Sequence, residues 1–275
     1  MSSLQNKIDF AVIFRVKNAN PNGDPLNGNR PRTDYEGLGE ITDVCLKRKI
    51  RDRLLESGQA IFVQSDDRKN DNATSLRNRA IETLGAGIFK EEAETVREKV
   101  CGQWFDVRAF GQVFAYKGEK KGEGVSLPIR GPVTIQSAFS KEPVSVTSTQ
   151  ITKSVSGEGD GSKRGEDTMG MKHRVDSGTY VTFGSMNPQL AERTGFSDDD
   201  AEAIKAVLPK LFENDASSAR PEGSMEVVKV IWWKHASKAG QHSSAKVHRS
   251  LSVNADGSYS LGDLAGLAAE EINGF

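Results

Sequence analysis

Cysteine is scarce in this sequence, and long apolar runs are missing. Cys45 and Cys101 do not form a CxxC pair, so neither a disulfide framework nor a structural zinc site is expected, and a reducing cytoplasm is. No stretch approaches the ~20 apolar residues that a membrane span requires. The start, MSSLQNKIDF, lacks the apolar segment of a signal peptide. Neither sign of charge prevails, with 37 basic against 38 acidic side chains, so the overall basic excess common in nucleic-acid binders is absent. GxGxxG, HExxH and GxSxG do not occur, and GEGDGSKRG (157–165) lacks the spacing of a phosphate-binding P-loop. His173, His235, His242 and His248 show no paired-ligand spacing. No metal or cofactor is therefore expected.

What is present suits one large domain with a sizeable insertion. Residues 8–16, IDFAVIFRV, are β-branched and aromatic and predict a buried strand. The segment 17–34 contains five Asn, three Pro and two Gly, which cannot pack a core and predict an irregular loop facing water or a ligand. Residues 41–57 predict a helix capped by Thr42 and stopped at Gly58, with Leu46, Ile50 and Leu54 toward a sheet. The polar stretch 66–79 reads as a linker, and 91–101 as a short helix leading into WFDVRAFG (104–111). A Gly- and Lys-rich turn (117–124) precedes a strand over 131–140. Residues 144–152 and 168–184 then form two arms of a long hairpin around a low-complexity tip, 156–167. A helix over 198–212 begins at Ser197 and is expected to kink at Pro209. MEVVKVIWW (225–233) is apolar on both faces and predicts a central strand. The last stretch, 258–275, suggests a short helix. This order predicts an α+β fold with helices on one face of the sheet and a projecting hairpin, of which the ferredoxin-like or RRM-type core is the best-known example.

Charge is polarised locally. Segment 45–54 carries five basic residues and one acidic; segment 195–226 carries eight acidic and three basic. A chain of this kind can present one basic groove and stack on copies of itself. Three basic constellations stand out. Lys47, Arg48 and Arg51 lie on the first helix, where a plain solvated face is the competing explanation. Arg30 and Arg32 lie in the Asn-rich loop, spaced so that guanidinium groups can clamp phosphates. Lys153, Lys163, Arg164, Lys172, His173 and Arg174 lie on the hairpin, with Met169 and Met171 beside them as flexible apolar groups suited to wedging between bases. Together they predict a groove that grips an unpaired strand through its phosphates, with little base selection. Asp198, Asp199 and Asp200 are better explained by the helix dipole than by a metal site.

The run NPNGDP (20–25), with GNRPRTD (28–34) and ITDVCLKRKIRD (41–52), resembles the backbone subunit of type I Cascade complexes, subtype I-C in particular. DVRAFG (106–111), RGPVTIQSAFS (130–140) and TMGMKHRVDSGTYVTFG (168–184) match the same family in the same order. The resemblance implies a non-catalytic, RRM-like palm with a finger-like insertion at about 58–103 and a thumb hairpin at about 141–178. Copies would stack in a helical filament along a CRISPR RNA, presenting it to a target DNA strand beside a large subunit and a guide 5′-end cap subunit. Each thumb would displace one nucleotide at a regular interval. By the same resemblance Asn20, Asn22, Arg30 and Arg32 would lie near RNA. Lys47, Arg48 and Arg51 would take phosphates on the palm, and Arg108 would sit at its edge. Lys153, Met169, Lys172, His173 and Arg174 would belong to the thumb. Type III relatives cut RNA with an Asp in the loop after the first strand, where Asp24 and Asp34 stand here, so a metal-dependent RNase is the alternative.

Overall fold

The computed structural model describes residues 2–116, 125–154 and 169–275. The turn at 117–124 and the hairpin tip, with Lys163 and Arg164, lie outside them. Strand β1 (Ile8–Ala19) runs through the middle of an eight-stranded sheet. Phe10, Val12, Phe14 and Val16 face one core while Ala11 and Ile13 face another. Both faces are buried, which is why the strand reads as a nearly continuous apolar run. A short ribbon of β2 (Gly23–Asp24) and β3 (Arg30–Pro31) follows, then β4 (Leu38–Ile41) at the sheet edge. Helix α1 (Asp43–Glu56) starts where the Thr42 side chain accepts from the Cys45 N–H, and it buries Leu46, Ile50 and Leu54.

The chain then leaves the sheet. Helices α2 (Leu76–Leu84), α3 (Ala93–Gln103) and α4 (Phe105–Phe110) join the hairpin β5 (Gly111–Tyr116) and β6 (Val125–Arg130) around a core of their own. Phe62 is its centre, with ring centroids 4.7 Å from Trp104 and 5.2 Å from Phe114. The stretch expected to be a linker, 66–79, is instead part of this unit. Arg79 is buried, donating to both oxygens of Asp71 (2.6 and 2.8 Å) and to the Phe62 carbonyl (2.7 Å). Its polar composition conceals an internal ion pair.

Strands β7 (Val133–Ile135), β8 (Ala138–Pro143), β9 (Val146–Thr152) and β10 (Met169–Met186) return the chain to the sheet. Helices α5 (Pro188–Thr194) and α6 (Asp198–Val207) and strand β11 (Met225–Lys234) come next. Ser197 and Asp200 close a capping box at the start of α6, which stops at Val207 and passes into a 3-10 turn containing Pro209. The central strands of the sheet run in the order β11–β1–β10–β8, antiparallel throughout, and along the chain α1 lies after β1 and α6 before β11. β10 pairs with β1 from Val175 onward and with β9 from Met169 to Val175, so one strand serves both the sheet and the hairpin.

Two expectations need correction. The helices do not cover one face only: α7 (Ser244–Arg249) and the ribbon β12 (Leu251–Val253)–β13 (Tyr259–Leu261) pack on the other, over Ile13, Ile231 and Trp233. The C-terminal stretch is not a helix but β14 (Glu270–Asn273), which pairs with β11. Both follow from β11: its apolar side chains point both ways and need cover on both faces, and its free edge is paired by β14. Among the described residues no helix is long and apolar enough to cross a membrane.

Beneath α7, the carboxylate of Asp9 is fully buried. His235 Nε2 lies 2.9 Å from it, Lys7 Nζ 3.2 Å and His248 Nε2 3.5 Å. Burial alone would raise the Asp9 pKa. Hydrogen bonds from His248, Ser244 and His235, with the Lys7 charge, outweigh it and hold the group at about 2. Because the folded value is depressed, the stabilisation is complete above the ordinary carboxylate pKa and is lost as pH falls toward 2. Asp9→Asn is expected to lower stability by about 2 kcal/mol at pH 7 and to flatten its decline between pH 4 and pH 2, measured by denaturant unfolding across that range.

Candidate nucleic-acid interface

The Asn-rich loop is ordered, and its asparagines hold it together. Asn20 is buried and its Nδ2 donates to the Asn29 carbonyl at 2.6 Å. Asn22 Oδ1 accepts from both the N–H and the hydroxyl of Thr42, each at 3.0 Å, which ties the loop to the start of α1. Asp24 accepts from the Leu26 N–H at 3.1 Å and pairs with Arg32 at 3.4 Å. Gly28 and Asn29 both adopt left-handed backbone, with φ of 58° and 60°, a conformation that glycine and asparagine tolerate best. Asn20 Nδ2 and Asn22 Oδ1 are thus engaged in holding the loop, Asn20 Oδ1 is buried without a hydrogen-bond partner among the described residues, and Arg30 on β3 stays exposed.

The cations of α1 are engaged from within. Lys47 pairs with Asp43 at 3.0 Å, and Arg48 with Asp215 at 3.5 Å. Lys49, which is not among the sequence-derived candidates, is buried against Asp215. Burial would raise the Asp215 carboxyl, but Lys49 and Arg220 hold it below the usual range. Arg51 Nε donates to Asp106 Oδ2 at 2.9 Å, and its guanidinium lies over the Phe110 ring. Asp106 also accepts the N–H groups of Phe62 (2.6 Å) and Val63 (3.0 Å). Arg108 clamps Asp200 with two bonds, at 3.0 and 2.7 Å. Arg51 and Arg108 therefore act within the fold in this structure, whereas Lys47 and Arg48 remain half-exposed beside their partners.

The hairpin of β9 and β10 has two distinct faces. Successive side chains alternate across a strand. The register pairs Met169 with Thr152, Met171 with Gln150 and His173 with Ser148 on one face, and Lys172 with Thr149 and Arg174 with Thr147 on the other. Met169 and Met171 are exposed, at 66% and 55%, so no described residue covers this apolar face. His173 is nearly buried, with Nδ1 2.8 Å from Ser148 Oγ. Arg174 lies 3.8 Å from Asp176. Lys153 is exposed near the far end of β9. Composition groups the methionines and cations together, but strand alternation separates them. Among the described residues, Arg30 and Lys172 have no ion-pair partner.

The loop and the hairpin meet. Strand β3 contacts β10, and the Val144 N–H, between β8 and β9, donates to the Gly37 carbonyl at 3.0 Å. Arg30 thus belongs with the hairpin root more than with the α1 cations. A cleft of about 630 Å³ runs beside this junction, lined by Arg15, Lys17, Asp176, Thr179 and Glu226 among others. Arg15 and Lys17 are not among the sequence-derived candidates, although the alternation of β1 past Ile13 places them on one face. The carboxylates of Asp24 and Asp34 both cap turns, Asp34 accepting from the N–H groups of Glu36 (2.9 Å) and Leu38 (2.8 Å).

A family model described as CRISPR-associated protein Cas7 matches residues 6–265. A curated relative, the CRISPR-associated protein Cas7 of Haloferax volcanii, is 28% identical over an alignment of 225 residues that covers 78% of this chain and 66% of the relative. The match therefore spans slightly under two thirds of the relative's length. Among solved structures, a chain of a CRISPR RNA-guided surveillance complex, pre-nicking, superposes with a TM-score of 0.47 at 14% identity, covering 82% of this chain and 78% of that one. A chain of another CRISPR RNA-guided surveillance complex gives 0.43 at 18% identity, covering 82% and 68%.

The α1 geometry separates two kinds of cation. Arg51→Ala would leave Asp106 buried with its charge uncompensated, and should cost about 3–5 kcal/mol of stability. Lys47→Ala removes a half-exposed pair and should cost less than about 1 kcal/mol. Denaturant midpoints of the two variants, compared with wild type, check the contrast.

Proposed function

The chain belongs to the CRISPR-associated protein Cas7 family, and on that premise we propose that it is a non-catalytic, guide-RNA-binding backbone subunit of a type I-C Cascade complex. The observation that carries the proposal, beside the family match, is the junction of an exposed arginine ribbon with a two-faced hairpin. A ribbon that presents Arg30 beside the root of a projecting hairpin can hold a phosphate chain at the point where the hairpin crosses it. The cationic face, with Lys172 and Arg174, would follow the backbone, and the uncovered Met169 and Met171 would sit against displaced bases. Lys47, Arg48 and Lys153 would extend the phosphate track, with Arg32 beside Arg30. Reading the backbone leaves the remaining bases free to pair with a target strand, so that sequence recognition is delegated to base pairing.

The strand order β11–β1–β10–β8, with a helix after the first and before the last core strand in sequence, supports an RRM-like palm. The separate core around Phe62 supports the reading of the insertion as fingers, and the β9–β10 hairpin supports a thumb. Copies would stack so that each thumb reaches its neighbour, forming a helical filament on the guide beside a large subunit and a 5′-end cap subunit, in the cytoplasm. For the RNase alternative, Asp24 and Asp34 would have only their Oδ2 atoms to offer a metal, since Oδ1 of each already accepts backbone N–H groups. That speaks for a structural role.

RNA of a defined length should copurify with the assembled chain. Arg30→Ala and Lys172→Ala should each weaken guide retention across all guide sequences. Each should also lower the slope of log affinity against log salt by about 0.7, the share of one phosphate contact on a single strand. Retention and slope equal to wild type in both variants would refute the placement. Loaded particles mixed with complementary RNA and a divalent metal should leave that RNA intact; regularly spaced fragments would favour the enzyme.

A further inference from the structure

Tyr35 is fully exposed. On a wandering loop this would call for no explanation, since single surface hydrophobics are common. Here the ring stands on a turn held at every step. Asp34 Oδ1 accepts from the N–H groups of Glu36 and Leu38, and the Asp34 N–H donates to the Leu38 carbonyl at 2.9 Å. The Gly37 N–H returns to the Asp34 carbonyl at 3.2 Å, and its φ of +82° closes the turn in a conformation open chiefly to glycine. Thr33 bridges to Gly39 below it. The Gly37 carbonyl accepts from Val144 at the hairpin root, and the Arg32 N–H donates to the Asn22 carbonyl at 3.2 Å. An aromatic ring is therefore set on a rigid mount between the arginine ribbon and the hairpin, and nothing among the described residues covers it.

We infer that the Tyr35 ring is a stacking platform for an unpaired base of the guide strand, where the loop meets the hairpin root. The inference rests on the RNA-binding reading and adds a contact to it. Stacking suits a protein that must accept any guide, because every base offers a π-face and the contact carries no sequence preference. The neighbouring cations favour this partner over a purely apolar one: a strand with its phosphates near Arg30 and Arg32 brings its bases within reach of a ring a few residues further along the ribbon. The phenol hydroxyl is not required, since the platform is the ring face. The pre-set turn also matters, because the backbone under the ring is already ordered and only the side-chain rotamers of Tyr35 remain to be fixed when a base settles on it.

The test uses assembled particles loaded with a guide in which uridines are replaced by 5-bromouridine, irradiated in the near ultraviolet and mapped by mass spectrometry. A nucleotide adduct is expected at Tyr35, and at position 35 in Tyr35→Trp. Tyr35→Ala should assemble, lose the adduct, and release guide about 5- to 150-fold faster, the equivalent of ~1–3 kcal/mol per stacked base. Tyr35→Phe should release guide as wild type does. Loaded wild-type particles with no adduct at Tyr35, or a Tyr35→Ala variant that releases guide at the wild-type rate, would overturn the stacking contact alone. Shortened Tyr35→Ala particles with normal guide release would assign the ring to a contact between copies, and so overturn it too. Wild-type particles free of oligonucleotide would instead remove the RNA-binding reading on which it rests.

Discussion

Asp106 lies almost out of reach of water and accepts hydrogen bonds from three groups: the N–H of Phe62, the N–H of Val63 and the guanidinium of Arg51. Two of these belong to the point where the chain enters the inserted unit, and the third to the helix packed on the sheet. One carboxylate on α4 therefore fixes the small core around Phe62 relative to the large core around Phe14. An unpaired carboxylate at that depth would carry a desolvation cost of several kcal/mol, so the arrangement holds only while all three donors stay in place. The orientation of the small core around Phe62, and any surface it shares with the sheet, depends on that node.

Much of the fold is legible in the sequence because its signals are local. The apolar run of β1, the Thr42 cap with Leu46, Ile50 and Leu54 four residues apart, and the Ser197–Asp200 cap each specify an element within a short window. What stays hidden depends on pairing across distance. Arg79 resembles part of a solvated linker until Asp71 and the Phe62 carbonyl close around it. Lys49 resembles one more cation on a basic helix, yet it is buried against Asp215, far away in the chain. The C-terminal strand β14 escapes prediction because four residues with two glutamates carry little strand signal; β11 recruits them as an edge.

The candidate site divides along the same line. A basic stretch such as 45–54 reports composition, and composition does not say whether a cation faces outward or braces the fold. Arg51 braces it, and so does Arg108; Arg30 and Lys172 face out. Alternation along β10 is enough by itself to separate Met169 and Met171 from Lys172 and Arg174, since the period of a strand is two. The near-zero net charge is explained similarly. Most of the α1 cations are neutralised where they stand, leaving few to act on a ligand.

β10 spends one end in the sheet and the other in the hairpin, without a break between them. Its alternation decides at once which side chains enter the core and which face of the hairpin is apolar. A slip by a single residue would turn Tyr180 out of the core and exchange the methionine and lysine faces in the same step. A misaligned copy could therefore not persist as a well-folded subunit with a faulty hairpin. The continuous strand makes folding its own proofreader, since only a chain whose core is in register carries the two faces of the hairpin the right way round.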